Sequence, residues 1–213
     1  MFYDLVKRTV DIVGSIFLLI LFSPVIVVTA FAIKLTSPGP ILADIPEKVG
    51  QGGKLFKIYK FRSMIINAHE AMRTDPRFRE LYKKYKERNF KGPANDPRIT
   101  LVGKLIRKHS IDEIPQLLNV IKSEMSIVGP RPCYIEEIED YKRRYPNSKD
   151  YLKDILSVKP GITGFWQVSG RSVVMDERRL EMDAYYTRKR SLLLDILILL
   201  KTPLAMISGK GTV

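Results

Sequence analysis

The sequence has almost none of the side chains that build soft-metal or redox centres. Among 213 residues there is one cysteine, Cys133, and there are two histidines, His69 and His109. A lone cysteine excludes an internal disulfide and fits a reducing compartment. With so few cysteine and histidine side chains, a zinc-like cluster is not expected. Internal repeats and low-complexity tracts are also missing. Acidic charge is scarce: 23 Asp and Glu face 36 Lys and Arg, a formal net charge of +13. So basic a chain expects an anionic partner, whether nucleic acid, anionic lipid or a phosphorylated substrate. The imbalance concentrates between Lys54 and Lys108, with 16 basic residues against 5 acidic ones. That is enough for a phosphate-facing or membrane-facing surface beside an ordinary solvated one. The length suits one domain, or one domain plus an anchor.

Charge of either sign is absent from the 22 residues Ile12 to Ile33. As a straight helix this run would cover roughly 33 Å at ~1.5 Å per residue, enough to cross a bilayer core. A signal peptide has some support from Lys7-Arg8 before the run and Ala30-Phe31-Ala32 within it, but the run is long for that role. Its middle holds Ser23-Pro24. Proline lacks an N–H and clashes with the carbonyl four residues back, so the helix must kink or break there. Each half is then about ten residues, too short to span. Both flanks are basic, with Lys7 and Arg8 before and Lys34, Lys48 and Lys54 after, which favours the cytoplasmic side for both. A helix–break–helix that enters one leaflet and returns satisfies both facts; a kinked spanning helix is the alternative. The Ser23 hydroxyl is a candidate partner for backbone groups freed at the break.

Downstream, Ser37-Pro38-Gly39-Pro40 reads as a turn or linker. Ile41 to Ala43 and Leu55 to Phe61 read as short strands, with Gly50-Gln51-Gly52-Gly53 turning a hairpin between them. Phe78, Leu81, Tyr82 and Tyr85 fall at helical spacing and predict an amphipathic helix from near Pro76, ended by Gly92-Pro93. Ile99 to Ile121 predicts short helices broken around Pro115. Ile135, Ile138 and Tyr141 predict another helix, acidic first and basic last as the helix dipole prefers, stopped by Pro146. Ser191 to Ile207 is rich in Leu and Ile but holds Asp195, Lys201 and Pro203. An interfacial amphipathic helix suits it better than a spanning one.

Four stretches could carry chemistry. Arg107 to Gln116 places Asp112 and Glu113 side by side among basic residues, next to the apolar Ile114, Leu117 and Leu118. An Asp-Glu dipeptide is usually surface, but this one borders a buried element. Helical neighbours point about 100° apart at ~3.6 residues per turn, so the two carboxylates would do different jobs. One could act as a nucleophile, the other could hold Mg²⁺, a hard cation suited to carboxylate and phosphate oxygens. Nearby Arg or Lys would keep both ionised. In Gly129-Pro130-Arg131-Pro132 the prolines restrict the backbone around Arg131, which suits a bidentate grip on phosphate or simply a surface loop. Lys159 to Gly164 with Gln167 to Arg171 could wrap backbone N–H groups around an anion, or form a turn-rich loop. It matches neither the P-loop nor the dinucleotide pattern. Trp166 and Phe165 are by default core. In Lys57 to Met64, strand alternation would put Lys60 and Arg62 on one face, a phosphate contact or a solvated face.

Together these motifs resemble the bacterial sugar transferase family, the monotopic phosphoglycosyl transferases. The resemblance is carried by Lys7-Arg8, the Ser23-Pro24 break, Lys57 to Met64, Asn95 to Thr100, Arg107 to Gln116, Asn119 to Pro132 and Lys159 to Arg171. It covers almost the whole chain, in the form without an additional N-terminal membrane region. It implies an α+β, mainly helical fold: a re-entrant membrane helix over 1–36 broken at Ser23-Pro24, then a cytosol-facing catalytic domain over 37–213 with a small β-hairpin and interfacial amphipathic helices. It implies transfer of a hexose 1-phosphate from a UDP-sugar to undecaprenyl phosphate with release of UMP, at the cytoplasmic face of a bacterial inner membrane. Asp112 matches the nucleophile that forms an aspartyl phosphosugar, and Glu113 matches the Mg²⁺ ligand. Lys60, Arg107, Arg131 and Arg171 match basic residues around the phosphates. Anionic lipids are implied partners, nucleic acid is not, and a homodimer is compatible. Two departures stand out. Pro46-Glu47-Lys48-Val49-Gly50 replaces a Gln-x-Arg-Val-Gly pattern, which puts the role of those positions in question. Ser-Gly-Arg ending at Arg171 replaces Asn-Gly-Arg. The pattern from Arg179 to Val213 is similar to members using UDP-glucose or UDP-galactose.

A nucleic-acid binder would explain the charge but not the uncharged 22-residue run or the Asp-Glu pair. A non-catalytic membrane scaffold would tolerate Asp112→Asn, which the enzyme reading does not.

Overall fold

Pro24 sets the first feature of the architecture. In the computed structural model, which describes residues 2–87, 96–169 and 176–207, the chain opens with α1 (Phe2–Leu21) and α2 (Ser23–Thr36), bent by 61° at Phe22. Pro24 lies in the first turn of α2, where its missing N–H costs nothing. The Ser23 hydroxyl donates to the Ile20 carbonyl at 2.8 Å, so the break satisfies itself as the sequence predicts. The first half is longer than the expected ten residues, because the helix extends back through the charged stretch to Phe2. Among the described residues, no single helix is long and apolar enough to cross a membrane; the bent pair is, by length and composition.

The pair is amphipathic in the reverse sense. Asp11, Ser15 and Thr29 are buried, whereas Val13, Phe17, Ile20, Val28 and Phe31 stand exposed. Three polar side chains of α1, Lys7, Arg8 and Asp11, are bonded to the rest of the fold. The Asp11 carboxylate accepts the Ile127 N–H at 3.0 Å. Arg8 donates to the carbonyls of Val120 and Ile121 at 2.7 and 3.0 Å, a cation on the C-terminal end of α6 (Gln116–Ile121). Lys7 pairs with Asp195 at 2.8 Å, and Tyr186 donates to the same carboxylate at 2.7 Å. Lys7 and Arg8, the basic residues before the apolar run, are therefore tied to the core. Asp195, expected on a polar helix face, is buried by that network.

Among the described residues the remainder is mainly helical with two small sheets. β1 (Lys48–Val49) pairs antiparallel with β2 (Leu55–Phe56) around the Gln51–Gly53 turn. The hairpin forms at the predicted glycines, but its first strand is Lys48–Val49. Ile41 to Ala43 contributes only a bridge between Leu42 and Phe61. β3 (Ser126–Val128) runs parallel to β4 (Gly161–Thr163). Between the sheets come α3 (Ala68–Thr74), α4 (Arg79–Glu87) and α5 (Leu101–Lys108). The predicted stop at Gly92-Pro93 lies outside the described residues. α5 is capped by Thr100, whose hydroxyl accepts the Gly103 N–H at 2.9 Å. Gly103 is required there, since a Cβ would sit 1.9 Å from the Ser63 carbonyl oxygen. After α6 and β3 follow α7 (Ile135–Arg144), α8 (Ser148–Ile155), a turn of helix α9 (Phe165–Val168), α10 (Asp176–Lys189) and α11 (Leu192–Ile207).

Three apolar clusters hold these elements. Ile33, Phe61 and Ile106 join α2, the 57–62 segment and α5. Val120, Met125, Val128, Tyr186 and Ile198 join α6, β3, α10 and α11. Tyr141, Leu152, Leu180 and Ala184 join α7, α8 and α10. Asp96 and Arg98 form a buried bidentate pair at 2.6 and 2.9 Å, with Arg98 also donating to the Ala68 carbonyl at 2.8 Å, so that motif is a brace for α3. Asp11→Ala should leave the buried Ile127 N–H without a partner and cost about 1–3 kcal/mol. Denaturant unfolding of the detergent-solubilised chain checks this; an unchanged midpoint would contradict the latch.

Candidate active site

The reaction-centre candidates sit on a short turn between two helices. α5 ends at Lys108, and Ser110 adopts a left-handed conformation (φ 54°) that a side chain rarely takes. The chain then makes one tight turn, Ile111–Glu113, before Pro115 leads into α6. Asp112 is 4% exposed, whereas the Glu113 side chain keeps 29% of its surface. The two carboxylates therefore sit in different surroundings. A single cation nevertheless meets both: Lys60 Nζ lies 3.1 Å from Asp112 Oδ2 and 2.9 Å from Glu113 Oε1.

Lys60 reaches this position through backbone bonds. The Phe61 N–H donates to the Asp112 carbonyl at 3.0 Å, and the Ala43 N–H donates to the Lys60 carbonyl at 2.9 Å. Asn119, fully buried on α6, clamps the preceding residues: its Oδ1 accepts the Tyr59 N–H at 2.9 Å and its Nδ2 donates to the Lys57 carbonyl at 2.8 Å. Asn119 was not among the predicted site residues. Its signal was an amide among Leu117, Leu118 and Val120, visible but without a role until the partner strand is placed.

Both pKa values are raised, which disfavours the charge on Asp112 and favours that on Lys60. Burial pushes the Asp112 carboxyl above the usual carboxylate range; the Lys60 charge opposes the rise, Glu113 adds to it, and Arg107 opposes it. Burial works against the charge on Lys60, but Asp112 and Glu113 outweigh it and raise its pKa. Arg107, on the last turn of α5, thus acts electrostatically on Asp112.

Arg131 belongs to an adjoining cluster. Pro130 and Pro132 are buried and Arg131 is exposed over the Trp166 ring, 5.9 Å from its centroid. The Arg131 backbone N–H donates to Asp183, whose carboxyl burial pushes up to about 7. Trp166 is core, and Arg179 lies beneath it at 5.5 Å. Lys48 links this cluster to the carboxylates. It is buried, its Nζ sits 3.0 Å from the Tyr134 ring centroid and 3.8 Å from Glu137, and burial lowers its pKa to about 7 with Arg131 and Lys60 contributing. The departure at Pro46-Glu47-Lys48 therefore lies inside the cation cluster. Glu137 in turn accepts the Tyr134 N–H at 2.6 Å and starts α7.

Two expectations need correction, and one cannot be placed. Arg62 is buried and faces away from the carboxylates, binding the Ser37 carbonyl and hydroxyl at 3.0 and 2.9 Å and the Pro38 carbonyl. Strand alternation fails there because residues 57–62 are not within a regular sheet. The Lys159 to Gly164 backbone does not present N–H groups to an anion: Gly161 donates to the Pro130 carbonyl at 2.8 Å, and this segment forms β4. Arg171 lies outside the described residues.

Among the described residues no group of three or more His, Cys, Asp or Glu could hold a metal. Mg²⁺ requires no such cage, since it takes one or two carboxylates and completes its shell with phosphate oxygens and water. The half-exposed Glu113 beside Asp112 fits that donor set.

Lys60, Asp112 and Glu113 thus meet on a turn that leads into α6, the helix whose far end is tied to α1. The sequence matches the bacterial sugar transferase family over residues 2–209, and the chain belongs to that family. It is 44% identical over 209 residues, 96% of its length, to an undecaprenyl-phosphate galactose phosphotransferase of Salmonella typhimurium. It is 44% identical over 200 residues, 92% of its length, to a UDP-galactose-lipid carrier transferase of Erwinia amylovora. The chain spans only 41% and 39% of those two proteins. It is also 37% identical over 207 residues to the exopolysaccharide production protein ExoY of Sinorhizobium fredii, covering 97% of this chain and 87% of that one.

The Lys60–Asp112 pair predicts thermodynamic coupling. Lys60→Met should destabilise by about 1.5–3 kcal/mol, as for a hydrogen bond to a charged group. In the Asp112→Asn background the loss should shrink, giving a coupling of about 0.5–3 kcal/mol in a double-mutant cycle. Additive losses would contradict the pairing.

Proposed function

We propose that this chain transfers a hexose 1-phosphate from a UDP-sugar to undecaprenyl phosphate and releases UMP, as the first membrane step of glycoconjugate assembly. The observation that carries the reading is the buried Asp112 carboxylate held at Lys60 in a member of this family. The Salmonella and Erwinia relatives are named for galactose transfer to such a carrier, which supports a galactose- or glucose-type donor.

In this reading an Asp112 oxygen attacks the β-phosphorus of the donor. The bond to the bridging oxygen of the α-phosphate breaks, UMP leaves, and an aspartyl phosphosugar remains. An oxygen of the lipid phosphate then attacks the same phosphorus, forming the polyprenyl diphosphate sugar and freeing the carboxylate. The covalent step lets two bulky substrates visit in turn. Every reactant is anionic, so Lys60, Arg107 and Arg131 reduce the repulsion between carboxylate and phosphates. Arg171 is proposed to join them. Glu113 would hold Mg²⁺, which supplies charge neutralisation at the phosphates.

The helix pair supports a place at the cytoplasmic face of the membrane. Its large apolar side chains face outward and its polar ones inward, the distribution expected where lipid replaces water. Leu101 and Leu105 on α5, with Leu193, Ile196, Leu200 and Leu204 on α11, are exposed as well and would rest in the interface. A re-entrant pair in the cytoplasmic leaflet keeps Asp112 at the depth of a lipid phosphate. A screen of UDP-sugars with undecaprenyl phosphate and Mg²⁺ tests the activity through UMP release. The wild type should turn over one hexose donor, Asp112→Asn should abolish release, and Glu113→Gln should cripple it and weaken its Mg²⁺ dependence. Near-normal release by Asp112→Asn would remove the nucleophile assignment.

A further inference from the structure

A cleft of about 250 Å³ opens beside the cation cluster, lined by Pro46, Glu47, Leu55, His69, Tyr85 and Tyr134 among others. We infer that this cleft binds the nucleoside end of a nucleoside diphosphate sugar, with the diphosphate running from it past the exposed Arg131 toward Lys60 and Asp112. The inference rests on the proposed donor class and adds where, and in which direction, that donor lies.

Chemistry of the lining supports a flat ring. Tyr134 and His69 meet edge to face at 6.1 Å, and Tyr85, Leu55 and Met72 complete apolar and aromatic walls. Burial and the charges of Arg98, Lys48 and Arg73 lower the His69 pKa to about 4, so the imidazole is neutral and can both donate and accept toward a base. The volume lies below the ~300–1,000 Å³ usual for whole ligands, which suits one moiety of the donor.

Charge then orients the ligand. Glu47 and Glu136 stand at the exposed rim, and Arg73 there is already paired with Glu136 at 2.6 Å. A phosphate in the cleft would meet carboxylates, whereas ribose hydroxyls and base N–H groups can donate to them. Arg73 at the rim is held by Glu136, and Arg98 beneath is held by Asp96, which leaves Arg131 as the exposed cation beyond the Tyr134 wall. Lys48 sits directly behind the Tyr134 wall, and its ammonium responds to both Arg131 and Lys60. Tyr134 is also three residues beyond Arg131 in the chain. A ligand seated against Tyr134 therefore has its anionic end drawn toward Arg131 and Lys60, the side where Asp112 waits.

Binding of UDP and of inorganic pyrophosphate to the full chain in nanodiscs tests this, with Leu55→Trp to fill the cleft and Tyr85→Ala to remove a wall. Both variants should weaken UDP about tenfold, the scale of one lost base–aromatic contact, while pyrophosphate changes by less than about twofold. Saturation-transfer NMR should mark the uracil protons most strongly in the wild type and lose that mark in Leu55→Trp. Unchanged UDP affinity in both variants, or equal losses of UDP and pyrophosphate, would overturn the cleft assignment and leave the activity standing. Failure of the wild type to bind UDP would instead remove the donor reading and this inference with it.

Discussion

One ammonium group shared between two adjacent carboxylates is the constraint on which the site depends. Without Lys60, Asp112 and Glu113 would repel each other on a turn that buries one of them, and the buried carboxyl would favour its neutral form. A neutral carboxylic acid is a poor nucleophile. The pairing also costs desolvation, which good geometry must offset. That geometry is supplied from the backbone: Asn119 fixes the segment before Lys60, and the Phe61–Asp112 backbone bond fixes its distance from the turn. Chemistry and packing therefore share the same few bonds.

The first helix is wired to that centre. α6 begins three residues after Glu113 and receives Arg8 at its C-terminal end, while Asp11 binds the start of β3. Any tilt of α1 would act directly on the helix that follows the reaction turn. In the proposed function this rigidity has a purpose, since the lipid phosphate lies at a fixed depth and the nucleophile must be held there.

Local features were readable without tertiary information. Ser23-Pro24 broke the helix, with the serine hydroxyl on a freed carbonyl, because proline chemistry is local. The helices around Tyr82 and Ile138 followed from their apolar spacing, and α7 from its charge order. Asp112 and Glu113 stood out as acids in a basic, apolar stretch. Long-range partners were not readable. Arg62 and Lys60 look alike in sequence, but one braces the linker after α2 and the other meets the carboxylates, because the chain between them is pinned irregularly. The Gly161 run looked like an anion loop, yet it forms a strand whose Gly161 N–H meets the Pro130 carbonyl. Lys48 and Asn119 acquire roles only when separate segments meet.

The central claim is that Asp112 carries the sugar phosphate between donor and lipid. Intact-mass measurement of the full chain with Mg²⁺ and its UDP-sugar, in the absence of lipid phosphate, tests it most directly. The account predicts a mass gain of one hexose phosphate that is lost on adding undecaprenyl phosphate and never forms in Asp112→Asn. Rapid UMP release with no adduct, or an adduct that persists in Asp112→Asn, would contradict it.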